Sequence, residues 1–166
     1  MGKPRIERPQ NDGGFGVLGH QPELMSAFTR LYGELWSRGI VSQPIKETVR
    51  LRNARVTDCR FCRNVRFAGA RERGLSEDLV DLINDEWETS GLSPRHKAAL
   101  RLADAFLAEP KPLAASTRAE LLAHFSSAEI VELTAALALF VGFSKIAVAL
   151  DTAPDSMPTT VLPTPA

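Results

Sequence analysis

Apolar positions recur at helical spacing along most of the chain. Leu24, Phe28, Leu31 and Leu35 follow one another at four, three and four, forming one apolar face of a first helix that Gly39 would stop. Pro44 opens a second helix, where its missing N–H leaves no ladder bond unmade, and Ile45, Val49, Arg52 and Val56 share a face. Asp58 reads as the N-cap of a third helix running to Gly74, with Phe61, Val65 and Ala68 inward. Ser76 with acidic Glu77 and Asp78 starts a fourth, carrying Leu79, Val80 and Ile83. Ser93-Pro94 starts a fifth through Ala99, Ala103 and Phe106, ended by Pro110. Thr117 with Glu120, and Ser126 with Glu129, have the spacing of capping boxes. The last helix, about 127–150, is apolar on nearly every face, as suits a central helix or one buried between subunits. No segment shows the period-two alternation or β-branched runs of a sheet, so the predicted class is all-α.

The 166 residues fit one domain, 21–151, between a flexible arm over 1–20, rich in glycine, and a disordered tail over 152–166, rich in proline. Lysine plus arginine and aspartate plus glutamate balance at 20 each, so the overall field favours neither nucleic acid nor a membrane surface. The first residues are charged but lead into no apolar run, so no secretory signal is read there. The apolar stretch 133–143 is too short to span a bilayer. The expected location is the cytoplasm. A close cysteine pair in that compartment points to redox, catalytic or metal chemistry rather than a structural staple.

Chemistry concentrates at Cys59-x-x-Cys62. With Asp58 as cap, Cys59 takes the first helical position, and a spacing of three puts both sulfurs on one face, near enough for a disulfide. Free N–H groups at the helix start favour thiolate over thiol. Arg66, four residues after Cys62, would add a cation on that same face. A thiolate so placed attacks a peroxide oxygen to give a sulfenic acid, the second cysteine condenses with it, and a dithiol reopens the disulfide. Glu47, twelve residues before Cys59, is the candidate proton carrier. Zinc would need two further ligands, and His20, His96 and His124 do not stand at ligand spacing, so no metal or other cofactor is expected. The arginines between Arg50 and Arg73 form either a solvated face or a patch for an acidic partner. Trp36 and Trp87 read as packing or interface anchors.

Glutamate, eleven residues, Cys-x-x-Cys resembles the signature of alkylhydroperoxidase D (AhpD)-like proteins of the carboxymuconolactone decarboxylase family. The surrounding text, "HQPELMSAFTRLYGELW", "GLSEDLVDLI", "LSPRHKAALRLADAF" and "FSSAEIVELTAALALFVGFSKIAVAL", is similar to the helices of that family. The resemblance spans roughly residues 18–150. It implies an all-α bundle of about six to seven helices, a homo-oligomer built as a trimer or trimer-based hexamer, and hydroperoxide reduction of the peroxiredoxin type, with a dithiol protein as electron donor. Carried over residue by residue, Cys62 attacks, Cys59 resolves and Glu47 is the relay glutamate. One position departs from the pattern: where the family motif has histidine, this chain has Arg66. Arginine stays protonated and cannot pass a proton back and forth.

Three functions follow from these residues. The first is a thiol-dependent oxidoreductase acting on a hydroperoxide or disulfide. The second is a lyase acting on an anionic lactone, which would use arginine and carboxylate groups and has no need of a thiol pair. The third is a non-enzymatic, redox-sensing oligomer in which the disulfide is the switch.

Overall fold

The computed structural model describes residues 6–7, 9–10, 16–152 and 156–166. The expected flexible arm therefore lies largely outside the described residues; of it, Gly16–His20 form a short 3-10 turn. Eight α-helices follow among the described residues: α1 (Pro22–Gly33), α2 (Gln43–Val56), α3 (Arg60–Asn64), α4 (Ala68–Glu72), α5 (Glu77–Asp81), α6 (Pro94–Leu107), α7 (Ala115–His124) and α8 (Ser127–Ala149). Two three-residue strands, β1 (Val65–Phe67) and β2 (Thr160–Leu162), a π-helical turn at Glu34–Arg38 and a 3-10 turn at Trp87–Thr89 accompany them. The all-α class holds, and the strands are the exception to it.

The axis of the fold is α2, which packs against α6 on one side and α8 on the other. Its sequence is polar, yet all ten residues from Ile45 to Ala54 are buried. Each buried charge on it has a partner, the condition under which burying a charge is tolerable. Lys46 Nζ donates to Leu35 O at 2.5 Å and to Glu132 Oε1 on α8 at 3.1 Å. Glu132 also accepts from Ile40 N at 2.7 Å, so one carboxylate joins α8 to the turn before α2.

Two apolar clusters flank α2. The larger holds Leu35, Trp36, Ile45 and Val49 against Ala99, Leu102, Leu133, Leu137 and Phe140. The smaller holds Leu51 against Ala70, Leu75, Ile83, Trp87 and Leu100. Half of the inward face expected for the first helix is found: Leu35 is buried and Phe28 half-buried, but Leu24 and Leu31 are not. Leu24 is 66% and Leu31 54% exposed, while Met25 and Trp36 are buried. Aromatic rings set this register: Phe28 stacks on Phe143 at 4.2 Å between centroids and on Tyr32 at 5.1 Å, and Trp36 meets Phe67 edge-on at 4.7 Å. Trp87 anchors the smaller cluster, as expected of a packing residue.

Serine caps start α5, α6 and α8 where the sequence places them, through Ser76, Ser93 and Ser126, and Ser126 with Glu129 forms the full capping box. Thr117 does not cap. Its helix begins two residues earlier at Ala115, and Glu120 is taken by Arg101 instead. Helix α8 runs 23 residues, as expected; the apolar stretch 133–143 judged too short to span a bilayer lies within it, and the whole helix by length and composition alone could cross a membrane. One side of it is packed into the molecule through Leu133, Ala136, Leu137, Phe140 and Ser144.

The expected disordered tail is not what the structure shows for residues 160–166. β2 pairs in parallel with β1, Val65 opposite Thr160 and Phe67 opposite Leu162. Thr164 Oγ1 accepts from Gly69 N at 2.8 Å, and Ser37 Oγ donates to Pro165 O. Prolines rule out a helix, but they permit a short edge strand.

Candidate functional site

Helix α2 ends at Val56 and the chain reverses through Asp58, whose φ of +50° lies in the left-handed region that aspartate tolerates better than most residues. Asp58 is thus the pivot of the turn, and Cys59 is the cap of α3. Cys62 N donates to Cys59 Sγ at 3.2 Å, so the sulfur takes the place a serine hydroxyl has in the other caps. Cys59 and Cys62 are joined as a disulfide, with Cα atoms 5.2 Å apart. The sequence placed these two sulfurs together, and the structure does too.

The expected continuous helix from 59 to 74 is broken at β1. The cause is a pair of buried charges on α2. Glu47 and Arg50 form a two-pronged ion pair, Nε to Oε2 and Nη2 to Oε1, both at 2.7 Å. Arg50 then donates Nη1 to Cys62 O at 2.8 Å and Nη2 to Val65 O at 2.6 Å. Glu47 Oε1 accepts from Phe67 N at 3.2 Å. Backbone groups that a helix would bond within itself are taken by α2, and the chain extends there. Burial works against the Arg50 cation, but the charge and hydrogen bonds of Glu47 outweigh it and its pKa is held above the ordinary guanidinium value.

Glu47 is therefore fully buried beside the cysteine turn, engaged with Arg50 and the Phe67 amide, and reaches Cys62 through Arg50. Arg66 is placed otherwise than expected. It sits on β1, not on the cysteine helix, and its guanidinium binds Glu77 at 3.1 Å and the carbonyls of Arg63 and Val65. With five residues, α3 is also too short to build a full macrodipole behind Cys59. Much of the arginine stretch is drawn into the fold in the same way: Arg52 binds Asp104 and Asp85, and Arg55 binds the carbonyls of Val80 and Ile83.

A cavity of about 280 Å³ opens beside the disulfide. Cys62 lines it and Cys59 does not; Cys59 is 0% exposed. Tyr32, Phe61, Phe67, Phe140 and Phe143 give it an aromatic side, and Leu162 of β2 closes part of it. Burial pushes the Tyr32 hydroxyl up to about 12, so it remains a proton-bearing donor. Arg50, Asn53, Ser144 and Thr152 bring further polar groups to the cavity. Asn53 Nδ2 donates to Ser144 Oγ at 2.8 Å, and Ser144 Oγ donates to Cys62 Sγ at 3.3 Å. Asn53 Oδ1 is buried without a partner. Sequence reasoning missed Arg50, Asn53 and Ser144. Arg50 was legible as the i+3 neighbour of Glu47, and Ser144 as a hydroxyl inside an otherwise apolar helix. No cluster of three or more metal-ligating side chains occurs among the described residues.

Two uncharacterized proteins of Mycobacterium tuberculosis, one from each of two strains, are each 41% identical over 117 residues, or 69% of this chain. The chain spans 41% of the length of each. A crystal structure of an Agrobacterium tumefaciens protein of unknown function, named as a candidate AhpD antioxidant-defence protein, matches with a TM-score of 0.73 and 24% identity. It covers 93% of this chain and all of that one. An uncharacterized peroxidase-related protein from Silicibacter sp. TM1040 matches with a TM-score of 0.71 and 19% identity over 85% of this chain and 76% of that one. The first likeness shows that the fold is AhpD-like, and the second shares that fold. The family model described as carboxymuconolactone decarboxylase matches residues 22–105, the segment that holds Glu47, Cys59, Cys62 and Arg66, and the chain belongs to that family.

Proposed function

We propose that this chain is a thiol-dependent hydroperoxide reductase in which Cys62 attacks and Cys59 resolves. The observation that carries the reading is the asymmetry of the disulfide: one sulfur faces an apolar cavity and the other is sealed behind it. In the reduced protein the Cys62 thiolate attacks the terminal oxygen of a hydroperoxide. The S–O bond forms as the O–O bond breaks, and the leaving alkoxide takes a proton from water to become an alcohol. The Cys59 thiol then attacks Cys62 sulfur, the S–O bond breaks, its own proton accompanies the departing hydroxide as water, and the disulfide closes. A dithiol donor regenerates both thiols by exchange, entering at Cys62, the sulfur within reach. The AhpD and peroxidase-related names of the structural neighbours agree with this assignment.

The lactone lyase is less well supported. Arg50, the guanidinium on the cavity wall, is already neutralised by Glu47 and occupied by two carbonyls. The proposal includes assembly. Helix α8 leaves Val131, Ala135, Ala138 and Gly142 uncovered, and a second copy of the chain is the partner we assign to that side.

Stopped-flow mixing of the reduced protein with cumene hydroperoxide tests the reading. Two thiols should disappear per hydroperoxide consumed, Cys62→Ser should abolish the reaction, and Cys59→Ser should stop it at a single sulfenic acid. Thiol loss no faster than that of free cysteine would remove peroxidase activity from the reading.

A further inference from the structure

We propose that Ser144, oriented by Asn53, holds the Cys62 thiolate, and that the unpartnered Asn53 Oδ1 receives the O–H of the incoming hydroperoxide. The inference rests on the thiol reading above and deepens it at the same site.

Three observations carry it. Ser144 comes from α8, is 1% exposed and directs its hydroxyl at the sulfur that faces the cavity. A hydroxyl rotates freely unless its oxygen is already engaged. Here the Asn53 amide donates to that oxygen, which leaves the Ser144 hydrogen for Cys62. The third observation is the other end of the same amide. Asn53 is 0% exposed, lines the cavity, and leaves Oδ1 without a donor, an arrangement that a native interior rarely tolerates unless something fills it. A hydroperoxide carries such a donor on the very oxygen the thiolate attacks. Asn53 thus serves both reactants, the thiolate through Ser144 and the peroxide directly.

The surrounding charges do not offer the same service. From α2, Arg50 touches the Cys62 carbonyl rather than its sulfur and is paired with Glu47. On α3 itself Arg60 and Arg63 are exposed, the latter bound to Asp58. From α8, Lys145 is exposed. Tyr32 of α1 lines the cavity as a neutral phenol. Arg66 is turned to Glu77. In the hydroperoxide step the S–O bond forms and the O–O bond breaks as already written. The new sulfenic O–H keeps its bond to Asn53 Oδ1 until Cys59 displaces it as water.

The test is the pH profile of Cys62 alkylation by iodoacetamide in the reduced full-length chain, read by peptide mass. Below the thiol pKa, Ser144→Ala should slow alkylation roughly tenfold, while the plateau at high pH stays unchanged, because only the thiolate fraction has moved. Ser144→Thr should restore the profile. Asn53→Leu, which keeps the side-chain volume, should shift it the same way. It should also lower the second-order rate with cumene hydroperoxide by more than the thiolate fraction explains. An unchanged profile in both Ser144→Ala and Asn53→Leu overturns the inference, and the Asn53 variant decides it if the serine variant fails to fold. A shifted profile in a protein that does not reduce hydroperoxide would sink the proposed function and leave the Ser144–Asn53 assignment standing.

Discussion

Arg50 and Arg52 stand two positions apart on α2, both buried, and hold opposite sides of the molecule, about 200° apart around the helix. Arg50 faces the cavity side. Its partner lies on the same helix, and its remaining donors carry the backbone of the cysteine turn. Arg52 faces α6. It clamps Asp104 at 2.6 Å and Asp85 at 2.7 Å, and Asp104 also receives the Trp87 indole N–H at 3.1 Å. Asp85 is almost fully exposed, so water stands ready to replace that bond. One arginine shapes a site and the other fastens two helices. They share a residue type and a helix, and only the company on each face separates them.

Removing Glu47 should break the comparison hardest. Glu47→Leu leaves the Arg50 charge buried and unpaired, at a cost of about 3–5 kcal/mol. Urea denaturation should show that loss. The double change Glu47→Leu, Arg50→Met should recover most of it, without restoring the reactivity of Cys62. Arg52→Met should cost less, about 2 kcal/mol, because its hydrogen bonds to charged partners are partly open to solvent. Hydroperoxide reactivity should then stay within about twofold of the parent, since no site residue loses a contact. If Arg52→Met quenched the thiol chemistry as fully as Glu47→Leu, the division of labour along α2 would be wrong.

The smallest effect belongs to pH on the α6 side. Burial, with the Arg95 cation beside it, holds His96 below the usual imidazole range, and its Nε2 has no partner. A depressed folded value means that the unfolded chain takes up the proton first. Stability should therefore be complete above the ordinary imidazole pKa of about 6.5 and decline as the pH falls below it toward the folded value. Thermal melting across that window should show the decline, and His96→Gln should flatten it. The Arg50 side should give no response in the same window.

The helical class, the serine caps at 76, 93 and 126, and the meeting of Cys59 with Cys62 could all be read from the sequence, because each depends on residues within a turn or two of one another. The break at β1 could not. Glu47 and Arg50 impose it from 15 to 20 positions upstream, and nothing between Val65 and Phe67 itself forbids a helix. The first helix keeps Phe28 and Leu35 inward as its spacing predicts, but Leu24 and Leu31 turn out to solvent, because Phe140 and Phe143, far along the chain, take Tyr32 and Trp36 instead. Composition alone made the tail look structureless, whereas β1 supplies an edge for it to join. Ser144 reads only as a hydroxyl in a mostly apolar helix, and its place beside Cys62 and Asn53 emerges when α8 is laid across α2.

Cys59 and Cys62 are three residues apart, but what encloses them is remote: Ser144 lies 82 positions from Cys62 and 91 from Asn53, and Thr164 lies 95 from Gly69. A ring of so few residues restricts the unfolded chain less than a long one, about 2 kcal/mol, so reduction should lower the melting temperature by only a few degrees. The sulfurs can find each other in a chain that has not yet folded. The pocket must wait for long loops to close, so the bond and the chamber that gives it meaning are assembled on separate clocks.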